Sequence, residues 1–191
     1  FIKNVSDCCK IGGYFIGTCY DGRKIYNMLT KHKIGEGISK RTKDRLVCQI
    51  IKQYEFDTFD NDESCLGYAI DVYQDCINNT LTEYLVNFDY LKIIMEHFGF
   101  VLVDDLEAQT MQLDSSITSF ADAYNNMETM VSVNKDEKKY IGSALKMNDE
   151  EKFISFLNNY FIFKKVRNIG AVEEKKPKDK KKKKRKIKLY F

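Results

Sequence analysis

The chain of 191 residues has no tryptophan, one proline (Pro177) and only two histidines, His32 and His97. Neither histidine stands beside a nucleophile motif, so a histidine-based catalytic triad is not expected. The six cysteines, Cys8, Cys9, Cys19, Cys48, Cys65 and Cys76, form no C-x-x-C pair. No metal-ligand spacing can therefore be written, and reduced thiols are expected. No window holds eighteen uncharged apolar residues, and no apolar run ends at a small-residue cleavage site. These absences argue against a membrane-spanning helix or secretory signal, so the expectation is an intracellular protein with no membrane partner. Gly35-x-Gly37 lacks the spacing of a dinucleotide loop, and no G-x-x-x-x-G-K-[ST] occurs, which excludes the common phosphate cradles.

What is present is sufficient for a core: 43% of the residues are apolar. The net charge of +3 conceals two opposite parts. Residues 173–191 hold 11 basic and 3 acidic residues, so residues 1–172 are mildly acidic. The expected division is a folded body, 1–172, and a disordered Lys-rich tail, 173–191, too poor in apolar residues to pack. Lys180, Lys181, Lys182, Lys183, Lys184, Arg185 and Lys186 form an unbroken basic run. That run could hold RNA phosphates, serve as a nuclear-import address or solubilise the chain end, and the sequence leaves all three open. The chain opens at Phe1 inside an amphipathic pattern, so the natural protein is expected to continue upstream.

Hydrophobic periodicity gives a coarse α/β reading. Phe1, Ile2, Val5, Cys8 and Cys9 have helical spacing that stops at Gly12-Gly13. Tyr14 to Thr18 reads as a strand buried on both faces of a parallel sheet, followed by a turn at Tyr20 to Arg23 and a helix from Ile25 to about Lys33. Residues 34–45 are polar and read as loop. Leu46 to Tyr54 and Gly67 to Gln74 read as an antiparallel β-hairpin insert joined by an acidic loop. Leu81, Tyr84, Leu85, Phe88, Leu91, Met95 and Phe98 recur every three or four residues, predicting one long helix up to Gly99, with a buried strand at Phe100 to Val103. A helix over Ile117 to Met130, irregular chain over 131–147, a helix starting at Asp149-Glu150-Glu151 and a last strand at Tyr160 to Phe163 complete the reading.

Four segments carry a resemblance. Lys10-Ile11-Gly12-Gly13-Tyr14-Phe15-Ile16-Gly17-Thr18 is similar to the K-P-G-G-Y-F-I-G-T signature of mRNA cap (guanine-N(7))-methyltransferases, with Ile11 in place of proline. Thr82-Glu83-Tyr84-Leu85-Val86-Asn87-Phe88 resembles that family's P-E-F-L-V-x-F helix. Ser119-Phe120-x-x-x-Tyr124 and Asn159-Tyr160-Phe161-Ile162-Phe163 resemble the segment after its penultimate strand and its closing strand. The matches follow the family's order over residues 1–166, and the Thr18-Cys19-Tyr20-Asp21-Gly22 variant looks most like capping enzymes of large cytoplasmic DNA viruses.

The resemblance implies part of a class I, Rossmann-like methyltransferase sheet that uses S-adenosyl-L-methionine. The strands at Tyr14, Phe100 and Tyr160 would be the fifth, the sixth and the antiparallel seventh. The family's cofactor loop would lie upstream of Phe1, so this piece alone is expected to be inactive. By position, Glu83 would read the cap guanine, Tyr160 would lie beside the ring, and Tyr20 stands where many members carry a pocket proline. A carboxylate can accept from both guanine N1–H and the exocyclic amino group, and a tyrosine face stacked on a base is worth about 1–3 kcal/mol. Each has a plainer alternative. Thr80-Leu81-Thr82-Glu83 fits a helix capping box, and a tyrosine opening a buried strand is commonly core.

Nitrogen 7 carries an in-plane lone pair, so no general base is needed and positioning would suffice. The implied partners are the capped 5′ end of mRNA, triphosphatase and guanylyltransferase domains in the same polypeptide, and a stimulatory subunit. The implied location is the host cytoplasm or virion, or the nucleus. Two rivals share these residues: a class I methyltransferase with another acceptor, and a non-catalytic RNA-binding subunit.

Overall fold

A computed structural model describes residues 1–169. Along the chain run α1 (Ile2–Cys8), β1 (Tyr14–Tyr20), α2 (Gly22–Leu29), β2 (Gly37–Arg41), β3 (Leu46–Lys52), β4 (Ala69–Gln74) and β5 (Asn79–Tyr84). Then follow α3 (Phe88–His97), β6 (Phe100–Leu102), α4 (Asp105–Thr110), β7 (Ile117–Ser119), α5 (Phe120–Val133), α6 (Lys138–Ile141), α7 (Asp149–Ser155) and β8 (Asn158–Lys165). The strands make two four-stranded sheets whose observed pairings are all antiparallel.

In the first sheet β8 is central. It pairs antiparallel with β1 on one side (Ile16 opposite Ile162) and with β6 and β7 on the other. Because side chains alternate between faces, Phe15, Phe161, Phe163 and Phe100 share one face, where α1 and α3 cover them with Ile2, Val5, Leu91 and Met95. Lys165 belongs to this face and is only 2% exposed. Its ammonium donates to Ser6 Oγ at 2.9 Å and to the Ser6 carbonyl, and lies 5.5 Å from the Phe100 ring centroid. The buried cation thus fastens α1 to the sheet. Gly99 turns α3 into β6 with φ +85°, and a Cβ there would meet the Arg167 carbonyl at 2.1 Å, so only glycine fits.

The second sheet is a meander, β2-β3-β4-β5. Its inner face carries Ile50, Ile70 and Val72 against Ile25, Tyr26 and Leu29 of α2 and Leu157. The Tyr26 ring stacks on Phe59 at 5.3 Å and on Tyr54 at 6.1 Å. This is the larger of the two main cores.

Several expectations need correction. The chain is mixed α/β, but the expected parallel sheet is not what the described strands form. β1 is not buried on both faces: Tyr14 is 40% and Ile16 62% exposed, and among the described residues β1 pairs with β8 alone. The hairpin insert is the inner pair of a four-stranded sheet, because residues 37–41, read as loop, form the polar edge strand β2. The long helix from Leu81 is wrong. Residues 79–84 form β5, and the helix begins only at Phe88. Asn87 sets that start, its Oδ1 accepting from the Asp89 and Tyr90 amides at 3.0 and 3.2 Å. Glu83 therefore lies on a strand, and the Thr80–Glu83 capping box does not form. β7 precedes the helix expected from Ile117, and α4 and α6 were not foreseen. The helix over 149–155 and the last strand are as expected; Asn148 and Glu151 make a capping box at the start of α7. The Lys-rich tail lies outside the described residues.

Candidate functional site

The two sheets meet where β1 ends. Asp21 bridges to Val86 in parallel, and the Gly22 amide donates to the Val86 carbonyl at 3.1 Å. A Cβ on Gly22 would meet Val86 backbone atoms at 2.4 Å, so glycine is what allows this approach. The contact draws the end of β5 against the end of β1. Glu83, opposite Ile70 on the inner face of the second sheet, consequently stands beside Cys19 and Tyr20.

Glu83 is half-buried, and its carboxylate has no hydrogen bond or ion pair among the described residues. Burial pushes its pKa up from 4.5. Burial, with Glu83 adding to it, pushes the Tyr20 phenol to about 12, and burial with Asp21 and Glu83 pushes the Cys19 thiol to about 12. The phenol and the thiol stay neutral at physiological pH, which leaves Glu83 as the one carboxyl group of the three. A carboxylate held this way offers lone pairs to a ligand that brings N–H donors.

Tyr20 is 6% exposed, with its ring in the second-sheet core. Its hydroxyl accepts a hydrogen bond from Gln74 Nε2 at 2.7 Å. Gln74 was missed by sequence reasoning, since nothing in its β-strand context marks it as a partner of a residue 54 positions away. Asn159, 9% exposed, likewise donates to Asp21 Oδ2 at 3.3 Å and ties β8 to the junction.

Tyr160 sits opposite Thr18 and Thr118 on β8. Its hydroxyl donates to the Ser115 carbonyl at 3.2 Å, toward the β7 side. Its half-buried ring lines two cavities along α5, of about 330 and 380 Å³, and Glu83 lines neither. The structure thus gathers Glu83 and Tyr20 at the end of β1, whereas Tyr160 reaches the same stretch of β1 only through its cross-strand neighbour Thr18. Lys180 to Lys186 lie outside the described residues.

The glycine-bearing turn from β1 into α2 is closed by the Val86 backbone, and the α2 start is occupied by Asp21, whose Oδ1 accepts from the Lys24 amide at 3.1 Å. Among the described residues no group of three or more His, Cys, Asp or Glu side chains could hold a metal ion. All six cysteines are free thiols, and no described helix is long and apolar enough to cross a membrane.

No family model matches the chain. A probable mRNA-capping enzyme of Acanthamoeba polyphaga mimivirus is 29% identical over 192 residues, covering 91% of this chain. The chain spans 16% of the length of that relative. This similarity supports a relationship to capping enzymes.

Proposed function

We propose that this chain is part of an mRNA cap (guanine-N(7))-methyltransferase and supplies contacts to the cap guanine. The observation that carries the proposal is Glu83: a half-buried carboxylate with a raised pKa and no protein partner among the described residues, held at the junction of the two sheets. The four motif matches and the similarity to a capping enzyme support the same reading. So does the strand arrangement, in which β8 runs antiparallel to both β1 and β6, as the last strand of the expected fold would.

Guanine presents N1–H and an exocyclic amino group side by side, and one carboxylate can accept both in a charge-assisted pair. Half-burial strengthens that pair by removing competing water. The same negative charge favours a guanine ring bearing positive charge, which is what methylation at nitrogen 7 produces. Tyr20 backs the carboxylate from the core, and the resemblance alone assigns Tyr160 to the guanine ring. Neither acts as an acid or a base. S-adenosyl-L-methionine would supply the methyl group. The reading further implies the host cytoplasm, the virion or the nucleus as its location, triphosphatase and guanylyltransferase domains in the same polypeptide, and a stimulatory subunit.

The test is transfer of labelled methyl by the full-length protein to GpppG-capped and uncapped RNA. Label recovered as N7-methylguanosine from capped RNA alone is the expected result. Equal labelling of uncapped RNA would point to another acceptor, and no transfer with a competent cofactor would overturn the enzymatic reading.

A further inference from the structure

Charge is spread unevenly over the second sheet. Residues 31–45 hold six Lys or Arg and two acids, inside a body where acids outnumber bases. They run from the end of α2 along the edge strand β2 to the turn before β3. The pairing with β3 begins at Gly35, whose amide donates to the Lys52 carbonyl at 2.9 Å, and ends at Arg41. That ladder is about 20 Å long. Lys31, Lys33, Arg41 and Lys43 are exposed, and together with Lys40 they have no ion pair among the described residues. Arg45 has one, to Asp75 at 2.8 Å. Of the two acids, Glu36 turns back to accept from the Lys33 amide at 3.0 Å. Two ordinary roles account for part of this pattern. Lys31 and Lys33 suit the C-terminal end of α2, and charge on an edge strand discourages pairing with another chain. Neither role needs one sign throughout. The opposite edge, β5, carries Asn79, Thr80 and Thr82 and no cation. A row of unpaired positive charge along one edge of an acidic body is left over.

We propose that the β2 edge binds phosphates of the RNA chain that follows the cap. The inference rests on the capped-RNA reading and adds a second surface to it. A row of cations without carboxylate partners matches a polyanion, and Lys and Arg neutralise phosphates whatever base they carry. Residues 31–45 contain no Phe, Tyr or Trp on which a base could stack, so the grip is blind to sequence. An enzyme acting at the start of many different messages needs that property. The register ties this edge to Glu83. Glu83 lies opposite Ile70, Ile70 opposite Lys52, and the Lys52 amide donates to the Glu36 carbonyl at the start of the β2 ladder. Three strand spacings, about 14 Å, therefore separate Glu83 from the basic edge. One RNA end can touch both.

The test measures binding of a capped oligoribonucleotide to the full-length protein over a range of salt concentrations, with Lys33→Gln, Arg41→Gln and Lys43→Gln combined. All three positions are exposed, so Tm should not change. The expected result is affinity weaker by about tenfold or more at low salt, with a log–log salt slope shallower by about 2, the share of three phosphate contacts on a single strand. Binding of the dinucleotide GpppG, which has no chain beyond it, should stay as in the wild type. Arg41→Lys alone should keep the wild-type slope. Unchanged affinity and slope in the triple variant would overturn the proposal and leave these cations to an acidic protein. An equal loss for GpppG would overturn it as well, by placing the cations at the cap itself. Failure of the cap reading shows separately, as equal affinity of the wild-type protein for capped and uncapped oligonucleotides of one sequence.

Discussion

Lys165 and Glu83 are two charged side chains carried inward by strands, and the fold treats them differently. Lys165, 2% exposed, meets the Ser6 hydroxyl, the Ser6 carbonyl and the face of Phe100. Glu83, half-buried, meets no donor among the described residues, and burial raises its pKa. A buried charge is costly unless its hydrogen-bonding capacity is met. The fold meets it for Lys165, which makes that lysine a fastening between α1 and the first sheet. For Glu83 the capacity is left open at the junction of the sheets, which is how a recognition group differs from a structural one.

The comparison can be broken by exchanging the two outcomes. The largest effect is expected from Glu83→Ala in the full-length protein, which should cost roughly 2–4 kcal/mol in kcat/KM for capped RNA, the scale of truncating a charged hydrogen-bond partner. Kinetics within threefold of wild type would remove Glu83 from the site. Next comes Lys165→Ala, expected to destabilise the fold by about 2–3 kcal/mol, because it strips partners from Ser6 and opens space beneath α1. Denaturant titration measures the loss, and hydrogen exchange should show it concentrated in residues 2–8. Unchanged protection of α1 would contradict the fastening role.

Smaller effects sharpen the contrast. Folding raises the Glu83 pKa above 4.5, so the folded state binds its proton more readily than the unfolded state does. Its contribution is therefore most favourable at pH below that ordinary value and is lost as pH climbs through the raised one. Glu83→Gln should accordingly raise Tm at pH 7 to 8 while weakening cap binding, and the gain should shrink as the pH approaches 4. A lower Tm at neutral pH would mean that the carboxylate has a stabilising partner after all. The smallest effect is expected from Tyr20→Phe, which removes the acceptor of the Gln74 amide and should cost about 1 kcal/mol of stability. A loss above about 3 kcal/mol would show that the hydroxyl does more than receive that bond.

The sequence was most legible where local chemistry and long-range packing agree. The acids and Asn148 at the start of α7, the Gly99 stop and the apolar run of β8 each carry their own signal. It misled most over 79–87. There Leu81 and Leu85, from one face of the extended chain, and the exposed Tyr84, from the other, run directly into the apolar face of α3, and the joint pattern imitates a single helical period. Asn87 followed by Asp89 was the available cue to the true helix start. β2 was hidden because an edge strand with one inward face needs few apolar residues. At the site, Glu83 could be singled out through a motif resemblance, but its lack of a protein partner could not, because that depends on what Val86, Gly22 and Tyr20 bring near it. Gln74 was missed for a related reason: it gains its role from a contact with a residue in another segment.

The most direct test of the unpaired carboxylate is base discrimination by the full-length protein, comparing guanosine-capped with inosine-capped RNA, which lacks the exocyclic amino group. If Glu83 accepts from that group, guanosine caps should be favoured by about tenfold in kcat/KM, the worth of one charge-assisted hydrogen bond, and Glu83→Gln should lose most of the preference. Equal use of the two caps by the wild-type protein would contradict the account.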